Sequence, residues 1–385
     1  MKEIPVAKFE CISCKHSDYR MSMREAGELA PGECPRCHGD MKVVAKEVPQ
    51  ELSEQLALVA RCFDIEDFIA AKDRVELAVA APNAKRSFRS VLDAAKKRGY
   101  LPVMREREGE LRLLMIKSPR VKKGNVLINL LLFFATIGTT FAAGYYFLFG
   151  NTLYAALFSG SLLFMLGSHE LGHKIAAWHN GVEATLPYFI PAPTILGTFG
   201  AVISVKSPIP TKEALVEMGA SGPLFGFFVA LPITIIGLMQ NPTAPDFGFT
   251  PAIFAMLQLL TFGHMPVGGE VNPLAFAGWV LLFVTMFNLF PVGQLDGGHV
   301  ARGLLNRERH FTLTKVSAFS LIMFGFIISS PLSPTLWLWG LLILLIFRGY
   351  HTGALDDVSK LSKNQKWLAA VTFVVFLLCV PIPTG

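Results

Sequence analysis

Residues 152–178 read TLYAALFSGSLLFMLGSHELGHKIAAW. The only charged residues in this stretch are Glu170 and Lys174. A helix needs about 20 predominantly apolar residues to cross the hydrocarbon core, so length and composition predict a membrane span. Within it lies His169-Glu170-Leu171-Gly172-His173. On a helix, positions i and i+4 share a face, so both imidazoles can reach one cation while Glu170 stands beside them. Ionisable groups inside a span are costly and mark function by default, which weighs against a pair of merely structural core histidines.

The rest of the chain divides around this span. Of its 385 residues 52% are hydrophobic and 17% charged. Residues 1–123 hold 24 Lys and Arg and 19 Asp and Glu, whereas residues 124–385 hold 11 and 10. The first third therefore reads as soluble and the remainder as membrane. A single globular domain, a disordered chain and a fibrous repeat are excluded. We predict three parts: a zinc-ribbon-like segment over 1–47, a small cytosolic α+β domain over 48–118, and a membrane-embedded domain over 119–385. In the second part, 48–61 has the pattern of an amphipathic helix and 74–81 alternates like a strand. Asn83 is placed to cap a helix that stops before Gly99, and strands over 100–106 and 111–117 flank a turn at Glu108-Gly109-Glu110.

Apolar segments over 126–150, 152–178, 214–239, 273–293, 315–330, 335–348 and 367–382 give a polytopic α-helical membrane protein with about six to seven transmembrane helices. Residues 248–263 are also apolar, but Pro251 interrupts them, and they read as an interfacial segment. Positive charge tests this arrangement independently. With the basic stretch 119–125 inside, the outer loops 150–152, 240–272, 331–334 and 383–385 contain no Lys or Arg. The inner loops hold Lys206 and Lys212, then Arg302, Arg307, Arg309 and Lys315, then Arg348, Lys360, Lys363 and Lys366. That asymmetry places the N-terminus in the cytosol and the C-terminus outside. The opening MKEIPVAKFECISC has no apolar core of a secretory leader, which agrees. Residues 183–206 are apolar yet carry Pro187, Pro191, Pro193, Gly197 and Gly200. Irregular backbone survives at membrane depth only against protein or a water-filled cavity, so this stretch reads as a re-entrant hairpin with exposed strand edges.

Two histidines leave a catalytic zinc site one protein ligand short. The third candidate is Asp296, in Asn288-Leu-Phe-Pro291-Val-Gly293-Gln-Leu295-Asp296-Gly297-Gly298-His299. It is the only acid between Glu270 and Glu308, at the cytosolic end of the fourth predicted span. A helix cap is the alternative for Asp296. His299 is a rival ligand, three residues further towards water.

HELGH together with N-x-x-P-x-x-x-L-D-G resembles the site-2 protease family of intramembrane zinc metalloproteases. Gly197-Thr-Phe-Gly-Ala-Val202 and Gly219-Ala-Ser-Gly-Pro-Leu-Phe-Gly226 resemble its archaeal, cyanobacterial and chloroplast branch. The similarity covers about 126–300. It implies that His169, His173 and Asp296 bind the catalytic Zn²⁺, that Glu170 is general base and acid, and that Asn288 holds the substrate or the oxyanion. Many relatives have Asn in a GPxxN motif where this chain has Gly226, so no role of that Asn carries over. The implied activity is hydrolysis of peptide bonds in or near transmembrane segments of membrane-anchored protein substrates. Its setting would be the lipid bilayer of a prokaryotic plasma membrane. Two other readings are a metal-ion transporter using the His/His/Asp site and a catalytically silent membrane scaffold. A transporter calls for repeated polar spans and further acids at mid-membrane. A scaffold has no need of Glu170.

Cys11-x₂-Cys14 and Cys34-x₂-Cys37 are separated by 19 residues, a zinc-ribbon spacing suited to a closed structural Zn²⁺ site. A cytosolic location disfavours disulfides, and a redox switch or an iron–sulfur cluster is the alternative reading of the four thiols. His16 and His38 adjoin the knuckles without being needed as ligands, and Cys62 and Cys379 read as isolated thiols. The net charge of +6 sits mostly in the first third, beside the membrane, and no arginine–aromatic platform accompanies it, so nucleic acid is disfavoured. A cytosolic regulatory partner is expected to bind through residues 1–118.

Overall fold

The computed structural model describes residues 4–46, 48–71, 74–119, 124–245, 247–266, 268–327, 333–346 and 350–384. Arg120, Lys122 and Lys123 of the basic stretch, Arg348, and the end of the fifth predicted span lie outside the described residues. Two units are distinguished: Met1–Arg120 with Leu355–Lys360, and Val121–Ala354 with Leu361–Gly385.

The first unit is built on strands β1 (Val6–Cys11), β2 (Ser17–Met21), β3 (Leu29–Glu33), β4 (Asp40–Ala45), β5 (Asp64–Ala71), β6 (Arg74–Ala80), β7 (Tyr100–Arg107) and β8 (Glu110–Lys117). They form one eight-stranded sheet in the order β3-β4-β1-β2-β5-β6-β8-β7. The segments read separately as ribbon and α+β domain thus share a sheet, joined where β2 pairs antiparallel with β5 at Tyr19↔Ala70. Helices α1 (Gln50–Ala60) and α2 (Ala84–Lys96) complete the unit. In α2, Phe88, Val91, Leu92 and Ala95 recur at helical spacing and are buried, while Lys85, Arg86 and Arg89 take the other face. They join Leu52, Leu56, Phe68, Leu77 and Leu113 in the core. Asn83 caps α2 by accepting the Arg86 N–H at 3.1 Å. The β7–β8 turn needs positive φ at both loop residues, and Glu108 and Gly109 adopt 55° and 83°.

The outer edge of β7 is occupied by a segment some 250 residues further along the chain. The Met104 N–H donates to the Leu355 carbonyl at 2.8 Å, and the Arg105 guanidinium donates to the same oxygen at 2.8 Å. Asp356 bridges to Met104, is buried, and its Oδ1 accepts from the N–H groups of Val358 (3.1 Å) and Ser359 (2.9 Å), closing a turn directly after the bridge.

The second unit runs α3 (Val126–Ala143), extended by a π-helical turn to Phe149, then α4 (Thr152–His179), β9 (Tyr188–Pro191), β10 (Thr198–Val202) and α5 (Lys212–Gln240). There follow β11 (Phe249–Pro251), α6 (Ala252–Phe262), α7 (Pro273–Asn288), α8 (Asp296–Leu304), α9 (Arg307–Ile327), α10 (Ser333–Ile346), α11 (Lys363–Cys379) and β12 (Pro381–Pro383). Among the described residues, four helices are long and apolar enough to cross a membrane: Val126–Phe149, α4, α5 and α9. That composition is that of a polytopic membrane protein. Helices α6, α7 and α10 are apolar but shorter.

The stretch 273–293, read as one span, is not a single helix. Helix α7 ends at Asn288, and residues 289–295 fold back before α8 begins at Asp296. Pro291 has no N–H to continue a helix and Gly293 takes φ +53°. A Cβ on Gly297 or Gly298 would collide with the Leu289 or Val292 carbonyl, so the fold-back requires glycine at both positions. Residues 183–206 contain the antiparallel pair β9–β10. Asn129 of α3 anchors it by donating to the Leu186 (3.0 Å) and Pro187 (2.8 Å) carbonyls. Gly197, at φ +76°, packs against the backbone of Thr139 and Thr140, where no side chain fits.

Asp356→Ala removes two hydrogen bonds to a charged acceptor, worth about 1.5–3 kcal/mol. Amide exchange at Met104 and Asp357 is then expected to quicken by about 10–150-fold, with exchange in α2 unchanged. Equal protection of both amides in mutant and wild type would show that the turn does not hold this segment on β7.

Candidate active site and cysteine cluster

His169 and His173 lie one turn apart on α4, and Asp296 opens α8. Their Nε2 atoms are 3.1 Å apart, and each is 3.3 Å from Asp296 Oδ2. The structure thus brings together three residues separated by more than 120 positions in the chain. Helix α5 is the platform on which they meet. A Cβ on Gly222 would occupy the His173 ring, and one on Gly226 would lie 3.1 Å from His169 Cβ. One on Gly219 would lie 2.6 Å from the Asp296 carbonyl oxygen. On α4, Gly172 approaches the Ser221 carbonyl so closely that its Cβ would lie 2.5 Å away. The small-residue face of Gly219–Gly226 therefore lets α5 seat both imidazoles.

The His173 Nδ1 donates to the Met218 carbonyl at 2.7 Å, which leaves the Nε2 lone pair facing the triangle. A tetrahedral zinc ion about 2.0–2.1 Å from its N and O ligands would space them about 3.3–3.4 Å apart. The observed 3.1–3.3 Å triangle fits that ion, and the donor set is one zinc accepts.

The three residues open on a cavity of about 260 Å³ whose lining includes Glu170, Asn288, Gln294 and His299. Ala201 and Val202 of β10, followed by Ile203 and Val205, form another wall. Glu170 is buried, on the same turn of α4 as His169. Asn288 stands at the last position of α7, and its amide has no hydrogen-bond partner among the described residues. His299 lies outside the triangle: its Nδ1 is 3.0 Å from His351 Nε2. Sequence reasoning did not single out Gln294, the Met218 carbonyl or His351. Gln294 was findable as the one uncharged polar side chain between Asn288 and Asp296. A main-chain acceptor and a histidine 52 positions from its partner leave no such signal.

The four cysteines also converge. Cys11 Sγ is 3.5 Å from Cys37 Sγ, and Cys14 Sγ is 3.6 Å from Cys34 Sγ. Disulfide sulfurs lie about 2.05 Å apart, whereas tetrahedral Zn–S bonds of about 2.3 Å put sulfurs about 3.8 Å apart. Each knuckle aims a backbone N–H at a sulfur: Cys14 N–H at Cys11 Sγ and Arg36 N–H at Cys34 Sγ, both at 3.4 Å. The Cys14 N–H lowers the Cys11 thiol pKa to about 6, favouring the metal-binding thiolate. Lys15 and His38, each directly after the second cysteine of its knuckle, both take φ +59°. His38 pairs with Glu33 at the surface and is outside the cluster.

Residues 157–330 match the model of peptidase family M50. This segment is thus similar to peptidases of that family. It contains the whole His169–His173–Asp296 triangle with Glu170 and Asn288, while the cysteine cluster lies outside it. The chain is 32% identical over 228 residues to the probable zinc metalloprotease EGY1, chloroplastic, of Oryza sativa subsp. japonica, covering 56% of this chain and 38% of that protein. It is 31% identical over 233 residues to the protein of the same name from Arabidopsis thaliana, covering 57% and 40%. With the Arabidopsis probable zinc metalloprotease EGY2, chloroplastic, it shares 30% over 232 residues, covering 57% and 40%. The aligned region thus spans about two-fifths of the curated relatives it matches. No solved structure matches the chain significantly.

Gly222→Ala puts a methyl group where the His173 ring sits. The purified variant is expected to lose one zinc ion per chain and keep the ion of the cysteine cluster, as counted by plasma emission spectrometry. Full zinc content in the variant would mean that α5 does not position His173.

Proposed function

We propose that this protein is a membrane-embedded zinc endopeptidase that cuts membrane-anchored proteins in or near their transmembrane segments. The observation that carries this reading is the triangle of two imidazoles and a carboxylate beside buried Glu170, opening on one cavity within apolar helices. A permeation site would also explain intramembrane ligands, but it gives Glu170 no task.

His169, His173 and Asp296 would hold the catalytic zinc, leaving a fourth position open to the cavity. The bound ion would supply Lewis acidity, lowering the pKa of water and polarising the scissile carbonyl. Glu170 takes the proton from the attacking water and delivers it to the leaving amine. The free amide of Asn288 donates to the oxygen on which charge develops. A substrate helix hides its carbonyls in its own hydrogen bonds and must unwind before attack. Among the described residues β10 pairs with β9 and has a second edge to offer, and its residues line the cavity. The unwound segment adds there as a further strand, presenting its backbone to Glu170.

The finer architecture follows the same reading. About six to seven helices cross the bilayer, with residues 183–206 re-entering it. The N-terminus lies in the cytosol and the C-terminus outside a prokaryotic plasma membrane. Pairing of β11 with β12 supports this topology, because it joins the C-terminal strand to the 240–272 segment assigned to the same side. Cys11, Cys14, Cys34 and Cys37 would hold a second, structural zinc, and residues 1–118 would receive a cytosolic regulatory partner.

Glu170→Gln is expected to retain both zinc ions and lose cleavage of a reconstituted transmembrane substrate by about 10²–10⁴-fold. Cleavage that persists at the wild-type rate would remove the protease reading. Val202→Pro costs β10 one backbone donor, about 1–1.5 kcal/mol, and should slow that cleavage about tenfold with zinc retained. An unchanged rate for a helical substrate would count against strand addition.

A further inference from the structure

His299 follows Asp296 by three residues on α8, so both project from one face. Its side chain lines the 260 Å³ cavity, yet it is not part of the ligand triangle. What it can offer that cavity depends on which ring nitrogen carries its proton. Its Nδ1 lies 3.0 Å from Nε2 of His351. His351 is buried, and its own Nδ1 accepts the backbone N–H of Gly353 at 2.9 Å. A backbone N–H can only donate, so His351 Nδ1 bears no proton and the neutral ring carries it on Nε2. That proton is donated to His299 Nδ1. A neutral His299 therefore has its proton on Nε2, which has no partner among the described residues.

The rest of the pocket around His351 keeps this order. The His310 ring packs edge-on against it, with centroids 5.5 Å apart. Gly353 takes φ +71°, which favours glycine, and it lies against buried Arg302, so the turn that presents the Gly353 N–H suits a residue without a side chain. Burial, with His299, His310 and Arg302 nearby, pushes the His351 pKa down to about 3, so the ring stays neutral. His173 has the opposite arrangement. Its Nδ1 donates to the Met218 carbonyl, so Nε2 presents a lone pair. Two histidines facing one cavity thus hold opposite tautomers, one suited to a metal and the other to an acceptor oxygen.

We propose that His351 fixes His299 as an Nε2–H donor to the scissile carbonyl oxygen of the unwound substrate backbone. His299 then touches the reacting group, and His351 acts through it as a positioning residue. The inference rests on the protease reading, but the tautomer does not.

The tautomer is read first, in the full-length wild-type protein with its zinc, by ¹⁵N NMR of labelled histidine assigned through His299→Phe and His351→Phe. A proton on His299 Nε2 and a bare Nδ1 are expected, and a proton on Nδ1 overturns the proposal. Kinetics on a reconstituted transmembrane substrate follow. His299→Phe should keep its zinc and lower kcat by about 10²-fold, the cost typical of one lost oxyanion donor, with KM altered far less. His351→Gln retains both a donor and an acceptor and should restore most of the rate lost in His351→Phe. His351→Glu can only accept, so it should reverse the His299 tautomer and stay slow. Loss of a zinc ion in His299→Phe, an unchanged kcat, or equal rates for the Gln and Glu variants would each overturn the assignment. If wild type and Glu170→Gln prove equally inactive on every substrate, the protease reading fails while the tautomer measurement stands.

Discussion

Two imidazole nitrogens and a carboxylate oxygen 3.1–3.3 Å apart present lone pairs to a single point inside an apolar bundle. With little water to screen them, such groups repel unless a cation or a shared proton lies between them. Holding them at that spacing is the requirement to which the neighbouring structure answers. Helix α4 alone fixes the two histidines, by their four-residue interval. Asp296 must be brought from another helix to the same depth. The break in α7 does this, turning the chain at Pro291 and Gly293 and restarting it with Asp296 in the first turn of α8.

The glycines of α5 complete the arrangement. In a bilayer there is no hydrophobic gain in pressing helices together, so close approach depends on small residues and polar contacts. Here the closeness has a specific use. Gly222 leaves room for the His173 ring, and the same turn of α5 supplies the Met218 carbonyl that orients it. Gly226 has no side chain, which lets α5 approach His169.

Legibility from sequence followed the range of the interactions. HELGH and the paired C-x₂-C knuckles are local, with spacing set by a helix turn or a tight loop, and their residues converge. Helix α2 and the β7–β8 hairpin were readable for the same reason, since Asn83 and Glu108-Gly109 act on their immediate neighbours. Asp296 could be picked out because acids are scarce in the last two-thirds of the chain. Strand β5 was missed because its DIED start is polar and its apolar run short. The merging of ribbon and α+β segments into one sheet depends on β2 meeting β5, and the edge of β7 is met by the Leu355–Asp356 segment across 250 positions. Neither pairing leaves a periodicity in the chain. Hydropathy counted 273–293 as one span because Leu289, Phe290 and Val292 are apolar. What ends the helix is backbone geometry, which hydropathy does not register.

The two clusters differ in the physical property that separates a structural ion from a reactive one. Four sulfurs surround the point between the knuckles, and two of the cysteines, Cys11 and Cys34, are themselves core residues beside Phe9, Met41 and Val43. An ion there would have every position filled by protein, and its binding energy would go into holding β1 and β4 to the knuckles. In the membrane unit three ligand atoms converge among the described residues, beside a cavity lined in part by Ala201 and Val202 of β10. A fourth protein ligand there would strengthen metal binding and close the site to water and substrate. His299 lines the same cavity, three residues after Asp296 on α8. The hydrogen bond from His351 turns its proton towards the cavity instead, which withholds the lone pair a metal would need. The open position is thus kept open by the choice of tautomer as well as by the count of ligands.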